Sequence, residues 1–262
     1  LALELTGTLM MFWYYHGHLS EGAARVERAL AAAAGVEVPP LVRARALVCQ
    51  GLLALTRGDA ALGLTALAEG ARLRELGGDE AGALVAHDLR GGILVSEGRY
   101  EEAAPIFERN LPRLRELNIP IWAAHALFHL GVIAFARGER VEAATLCEEA
   151  ANLYGATSRL DATDPLRYLG LIACAEGDVD RAARWFAETL ALLGERDSVA
   201  AFSTGLADVG TLAIARGMAN EAATLFGAAD ALRQAHEASY SLPARDVYEA
   251  AMARAQDALG AD

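Results

Sequence analysis

The chain contains 262 residues, of which 54% are hydrophobic and 22% are charged, and its formal net charge at pH 7 is −12. This acidic balance disfavours direct contact with nucleic acid, whose backbone phosphates require clustered cations. Every basic residue other than histidine is arginine, and the lack of lysine excludes both a phosphate-binding loop of the GxxxxGK[ST] type and lysine Schiff-base chemistry.

A glycine recurs at intervals of about 40 residues along the chain, at Gly17, Gly58, Gly98, Gly138, Gly177 and Gly217. A fixed period of this length indicates one supersecondary unit that is copied and stacked. The glycine suits a helix C-terminus, where the chain requires a residue at positive φ. The acidic pair Glu101 and Glu102, just after Gly98, suits the first turn of a following helix.

Each predicted unit also carries a small residue on each helix and one bulky residue, here named the plug. The small residues should let two antiparallel helices approach closely, and the plug should fill the gap to the next pair. The plugs lie nine residues after each turn glycine and are Val26, Leu67, Phe107, Cys147, Phe186 and Phe226.

In chain order, the pattern predicts six helix pairs and a closing helix. The first helices of the pairs are expected at 2–15, 40–56, 79–96, 120–136, 164–175 and 198–215. The second helices are expected at 19–34, 60–76, 100–117, 140–154, 179–193 and 219–236. Pro112 falls inside one of them and should kink or end it. No segment alternates with a period of two residues, so no sheet is expected.

We expect one helical-repeat domain over 1–262, since each unit of a solenoid contacts only its neighbours. Its repeats are 1–38, 39–78, 79–118, 119–158, 159–196 and 197–238, and the helix over 242–259 should cap the last apolar face. Because the chain begins within a helical pattern, we expect a segment of a larger protein. No apolar run is long enough to span a bilayer and no targeting segment is visible, which predicts a cytoplasmic module without membrane contact.

Neither the cysteines nor the histidines form a convincing metal site. Cys49, Cys147 and Cys174 are scattered and are expected to be reduced thiols. His125 and His129 stand four residues apart, a spacing that can hold zinc, but no acid lies between them and no third ligand is evident. We interpret both as core or groove histidines and predict neither a metal nor a cofactor.

The repeat resembles the tetratricopeptide superfamily, although its period is longer than the usual 34 residues. The resemblance rests on small residues and plugs at matching positions: Gly51, Gly91, Gly131, Gly170, Gly210, Ala103, Ala143, Ala182, Ala222, Phe107, Phe186 and Phe226. It implies a right-handed, all-α solenoid of about six helix pairs with a C-terminal capping helix.

Two longer phrases resemble the helical-repeat region of large bacterial regulators of the LuxR-type, signal-transducing ATPase (STAND) class. The first runs from Phe12 to Gly22 and continues with Glu27–Leu30, and the second runs from Ala222 to Arg233 and is followed by Tyr248 and Glu249. The resemblance implies that the repeats sense an inducer or a partner protein and relay this to an ATPase domain that is not visible here.

In tetratricopeptide-like arrays the first helices line the concave surface, and the resemblance therefore implies a groove. Its expected binding residues are Arg45, Asp88, His125, Phe128, Phe135 and Arg167. Apolar floors with a few convergent polar groups are typical of ligand sites, and Arg167 suits an anionic effector or a peptide carboxylate. The alternative is a solvated groove in which Phe128 and Phe135 only pack between units.

Three functions stay open at this point. The sequence favours a non-catalytic sensor module of a transcriptional regulator, which binds an effector or a partner protein in the groove. The second is a protein–protein scaffold that binds a peptide or its own ATPase domain without a small ligand. The third is a metal-dependent enzyme that uses His125 and His129.

The aromatic run from Phe12 to Tyr15 is interpreted as core of the first pair, although an exposed edge could drive a homodimer.

Overall fold

The computed structural model describes residues 2–15, 18–194, 199–235 and 242–260. Within these ranges all regular structure is helical and no strand occurs, which confirms the predicted all-α fold. None of the helices in the described ranges is both long and apolar enough to cross a membrane.

The helices follow one another with short connections. Their bounds are α1 (Ala2–Thr8), α2 (Met10–Tyr15), α3 (Leu19–Ala32), α4 (Pro40–Thr56), α5 (Ala60–Leu76), α6 (Glu80–Ser96), α7 (Tyr100–Glu116), α8 (Pro120–Ala136), α9 (Arg140–Thr157), α10 (Thr163–Glu176), α11 (Val179–Leu193), α12 (Val199–Ala215), α13 (Ala219–Ala235) and α14 (Leu242–Leu259). A single 3-10 turn, Arg159–Ala162, lies between α9 and α10. The predicted cap over 242–259 agrees with α14 at both ends.

One predicted helix is divided in the structure: the helix expected over 2–15 is interrupted at Leu9, where α1 gives way to α2. Of the two effects expected of Pro112, it does not end α7, which continues to Glu116 and contains Pro105 as well. A kink at Pro112 stays a prediction. The first turn glycine, Gly17, lies outside the described residues.

From α4 to α8 the structure repeats every 20 residues, which is half the period seen in the sequence. Each of these helices contains 17 residues, and they begin at residues 40, 60, 80, 100 and 120. The three-residue turns that follow these five helices each contain one residue at positive φ: Gly58, Gly78, Gly98, Asn118 and Gly138. Turns within pairs and turns between pairs therefore have the same form.

The turn is built from a left-handed residue followed by a capping residue. Asp59 and Asp79 directly follow such glycines, and their carboxylates accept hydrogen bonds of 3.0 Å from the amides of Leu62 and Gly82. This satisfies one of the amides that the first turn of a helix leaves unpaired. Asn118 adopts a φ of 55° in the turn before α8, a conformation that asparagine tolerates better than most residues.

The chain forms two compact units, Leu1–Trp122 and Ala123–Asp262. In the first unit α4 packs against α1, α3 and α5, and then α5, α6 and α7 pack in chain order. In the second unit α9 to α13 pack in the same successive manner, and α14 packs against α12 and α13. The single domain expected over 1–262 stays a prediction.

Five of the six plugs, all except Val26, lie directly on a glycine of their own hairpin. A Cβ added to Gly91 would lie 2.6 Å from Cζ of Phe107, and one added to Gly170 would lie 2.6 Å from Cδ1 of Phe186. The close approach of the helices therefore depends on these glycines, which receive the ring face of the partner helix. Leu67 additionally belongs to a cluster with residues of the following helix α6, as the sequence predicts for a plug.

The aromatic run near the start divides between core and surface. Trp13 is buried, and a Cβ on Gly22 would lie 2.7 Å from its ring. Phe12 is 48% exposed. The side chains of Tyr14 and Tyr15 lie outside the described residues, so the structure places only part of the run in the core.

Candidate functional site

A half-buried aromatic surface on α8 contains three of the residues expected to bind a ligand. His125, Phe128, His129 and Phe135 share one face of this helix, and we name them the α8 aromatic surface. They lie three, four and seven positions apart, which places side chains on the same side of a helix. His129 is the member that the sequence did not include in the site.

Tyr168 of α10 supports this surface from beneath. The ring centroids of Phe128 and Tyr168 are 5.5 Å apart, and those of Phe135 and Tyr168 are 5.8 Å apart. Both pairs are close to perpendicular, at 75° and 89°, and edge-to-face pairs of this kind are favourable. Because Tyr168 is buried, the two phenylalanines are held in place rather than freely mobile.

The two histidines of this surface contact each other, and His129 adds no charge to it. The Nε2 atoms of His125 and His129 are 3.2 Å apart. Burial lowers the pKa of His129 well below its ordinary value, and the neighbouring His125 lowers it further. No group of three or more potential metal ligands occurs among the residues that the structure describes, so nothing here adds a third ligand to the pair.

Arg167 lies in a buried network rather than on an open groove wall. Its Nη1 donates a hydrogen bond of 3.0 Å to the hydroxyl of Tyr248, which donates one of 2.5 Å to Oδ1 of Asp208. Arg167 also lies over the ring of Tyr168, with Cζ 5.0 Å from the centroid. We name Arg167, Tyr248 and Asp208 the buried network, which joins α10, α14 and α12.

Burial sets the protonation of this network. It raises the pKa of Asp208 to about 7, although the Arg167 cation acts in the opposite direction. Burial also opposes the charge of Arg167, but Tyr248 and Asp208 outweigh it, and the pKa of Arg167 lies well above its ordinary value. Burial and the Asp208 carboxylate raise the pKa of Tyr248, so its hydroxyl keeps the proton that it donates.

The raised pKa of Asp208 predicts a pH dependence of stability with a definite sign. An aspartate in the unfolded chain titrates near pH 3.9, whereas the folded carboxyl titrates at about 7. The folded state therefore holds the proton more tightly, and this stabilisation is complete below the unfolded pKa and is lost as the pH rises through about 7. Relative to Asp208→Asn, the wild type should lose on the order of 3 kcal/mol of unfolding free energy between about pH 4 and about pH 8.

Urea denaturation of both proteins at a series of pH values measures this difference. The asparagine variant is the matched control because it keeps the shape and an acceptor for Tyr248 but cannot titrate. A difference between the two proteins that stays constant over the range, or a wild type that gains stability relative to Asp208→Asn as the pH rises, would contradict a raised pKa.

The other two expected binding residues lie in the first unit. Arg45 is exposed on α4. Asp88 is fully buried, and Nδ2 of Asn110 donates a hydrogen bond of 2.7 Å to its Oδ1 and one of 3.3 Å to the carbonyl of Leu84. Asp88 thus joins α6 to α7 in the interior, and its side chain does not present a charge to solvent.

An open cleft of about 400 Å³ lies over α6, between α5 and α7, in the first unit. A histidine–carboxylate contact and an ion pair border it: Nε2 of His87 is 2.9 Å from Oε1 of Glu75, and Arg113 binds both carboxylate oxygens of Glu80 at 2.6 and 2.9 Å. This cleft is not evident from the sequence, because its residues come from three helices and each has the pattern of a solvated face.

Comparison with known proteins identifies the class of fold. No family model matches the chain, and no curated protein matches it. A Rap protein complexed with Competence and Sporulation Factor is similar over 98% of this chain and 76% of its own, at 14% identity and a TM-score of 0.70. The Rap conjugation gene regulator of plasmid pLS20, in complex with the Phr* peptide, is similar over 98% and 73%, at 11% identity and a TM-score of 0.66.

A third similar structure carries the repeat type in its description. The nearly identical TPR-like repeats of a Podosopora anserina kinesin light chain cover 78% of this chain and 100% of their own, at 15% identity and a TM-score of 0.53. The chain is therefore a TPR-like helical-repeat protein in its fold. Identities this low carry the likeness no further than the fold.

Proposed function

We propose that the chain is a non-catalytic interaction module that binds a peptide or an extended segment of a partner protein on the α8 aromatic surface. The observation that carries the proposal is the pair of half-buried phenylalanines, Phe128 and Phe135, supported by the buried ring of Tyr168. Aromatic side chains held rigidly at a surface contribute a large share of binding energy at protein interfaces, because little conformational entropy is lost when they are covered.

The polar character of the surface fits a peptide better than a small acid. With Arg167 bound to Tyr248 and Asp208, the arginine expected to clamp an anionic effector already has its partners. The neutral ring of His129 instead adds no charge to this surface, and an uncharged aromatic surface suits an apolar segment of a peptide better than an anionic metabolite. This favours the protein–protein scaffold over a sensor of an acidic metabolite.

The structures of similar fold support the same class of ligand. One Rap protein is complexed with Competence and Sporulation Factor and another with the Phr* peptide. We further propose, from the two phrases that resemble LuxR-type STAND regulators, that this module relays partner binding within a bacterial transcriptional regulator. A nucleotide-binding loop upstream in the same reading frame is the expected observation.

Selection from a displayed random peptide library against the whole chain tests the proposed site. Fluorescence anisotropy of a selected peptide should show that Phe128→Ala weakens binding by about tenfold or more, the usual effect of truncating a central aromatic contact. Phe202→Ala is the matched control, since Phe202 is an exposed phenylalanine on α12 of the same unit. Peptides whose affinity is the same for wild type and Phe128→Ala would place the site elsewhere.

A further inference from the structure

The buried face of helix α14 consists of small side chains and one tyrosine. Among the residues of α14 whose burial the structure describes, the buried ones are Ala244, Tyr248, Ala251 and Ala255, spaced so that they form one face of the helix. This face packs against α12 and α13, and Val247 and Met252 are half-buried. Alanine buries little apolar area compared with leucine or phenylalanine, so Tyr248 is the one large side chain of this buried face.

The attachment at Tyr248 is polar, and its two buried partner side chains do not use all of their hydrogen-bonding atoms. Its hydroxyl lies between Nη1 of Arg167 and Oδ1 of Asp208, both of which belong to buried side chains. Nε of Arg167 and Oδ2 of Asp208 are also buried, and neither has a hydrogen-bond partner among the described residues. A helix needed only to cover an apolar face would be bound more strongly by apolar side chains, because buried charges carry a large desolvation cost.

The C-terminal part of α14 packs incompletely. An open cleft of about 460 Å³ separates its residues Arg254, Asp257 and Ala258 from the turn between α12 and α13. Leu259, the last residue of the helix, is 45% exposed. The contact of α14 with the hairpin thus extends from Ala244 to Ala255, and the last turn of the helix is only partly covered.

We propose that the face of α12 and α13 beneath α14 is a docking groove for an amphipathic helix, and that α14 is its displaceable intramolecular occupant. The partner is a helix with a tyrosine at the position of Tyr248 and small residues four positions before it and three and seven positions after it. The polar network then selects the partner, since a helix that lacks the hydroxyl leaves Arg167 and Asp208 without the group that bridges them. This groove is a surface additional to the α8 aromatic surface.

A peptide that copies α14 tests the proposal on the whole chain. A fluorescein-labelled peptide of residues 242–259 should bind the Tyr248→Phe protein at least about tenfold more tightly than it binds the wild type. In the wild type, α14 of the same chain is present at a high effective concentration and competes with the peptide. The substitution weakens the binding of α14, so the peptide meets less competition. The same peptide with phenylalanine in place of its tyrosine is the matched control and should lose this advantage. Phe128→Ala should leave peptide binding unchanged, which separates this groove from the α8 aromatic surface.

Hydrogen exchange measured by mass spectrometry provides a second readout without the peptide. In Tyr248→Phe the amides of α14 should exchange at least about tenfold faster, while those of α12 and α13 keep their wild-type rates. Ala251→Glu places a charge at the same contact without altering the network, and it should release α14 in the same way. Equal acceleration of exchange in α12, α13 and α14, or equal peptide affinity for wild type and both variants, would show that α14 is a permanent part of the fold.

Discussion

At pH 8, Asp208→Ala should lower the free energy of unfolding by about 3–5 kcal/mol, the usual effect of removing one partner of a buried ion pair. Arg167 is only 6% exposed, and arginine does not give up its proton under these conditions. The variant therefore keeps a buried cation whose nearest buried counter-charge is gone, and Tyr248 loses the acceptor of its 2.5 Å hydrogen bond.

The reverse substitution should be milder. In Arg167→Met the remaining carboxyl of Asp208 can take up a proton, because its pKa is already raised to about 7 and rises further without the cation. In the wild type this pKa of about 7 lies about one unit below pH 8, and one pKa unit corresponds to about 1.4 kcal/mol. Protonation of Asp208 in the variant should therefore lower the free energy of unfolding by about that amount. The double variant Arg167→Met with Asp208→Ala should also be more stable than Asp208→Ala alone, since it contains no buried charge in the network.

Urea denaturation followed by circular dichroism compares the three variants. The loss of unfolding free energy should be largest for Asp208→Ala and smaller for both the double variant and Arg167→Met. If Arg167→Met costs as much as Asp208→Ala, the network stabilises the protein through packing rather than through charge compensation. If all three losses stay within about 0.5 kcal/mol, as for surface substitutions, the network contributes nothing measurable.

The fold can be predicted from the sequence because each helix and turn is determined by residues that lie close together along the chain. A positive-φ turn glycine, a capping aspartate and a small residue on the helix face are all readable from single positions, and the ends of α4, α5, α8 and α11 agree with the prediction. The 20-residue period is not evident from the glycines of the sequence, because Asn118 takes the place of a glycine in the turn before α8. The 3-10 turn after α9, with Ser158 in an extended conformation, has no counterpart in the glycine pattern.

The candidate site is harder to predict from the sequence, because the burial of a polar side chain depends on partners that are distant along the chain. Register assigns Asp88 and Arg167 to a solvent-lined groove, yet Asp88 bonds Asn110, 22 residues away, and Arg167 bonds Tyr248, 81 residues away. A lone arginine or aspartate on a helix gives no sign of such a partner. Phe128 and Phe135 were accessible to prediction because aromatic residues seven positions apart on one helix must share a face.

Phe186→Ala should also lower the free energy of unfolding by about 3–5 kcal/mol, through lost burial and the cavity that remains. Phe186 is 1% exposed, and its ring rests on the backbone of Gly170. In the wild type, Gly170→Ala should cost about 1–3 kcal/mol, because the new methyl group overlaps that ring and forces it to move.

In the Phe186→Ala background the sign of Gly170→Ala should reverse. The added methyl group then enters space that the ring has left, and alanine is the better helix former by about 0.5–1 kcal/mol. Gly227→Ala on α13 is the control, since nothing lies within 4 Å of a Cβ added there and it should stabilise both backgrounds equally. Urea denaturation of the four proteins of the cycle gives the coupling energy between positions 170 and 186. Additive effects of the two substitutions would mean that ring and glycine are not in contact, and that helices α10 and α11 of this hairpin approach one another for another reason.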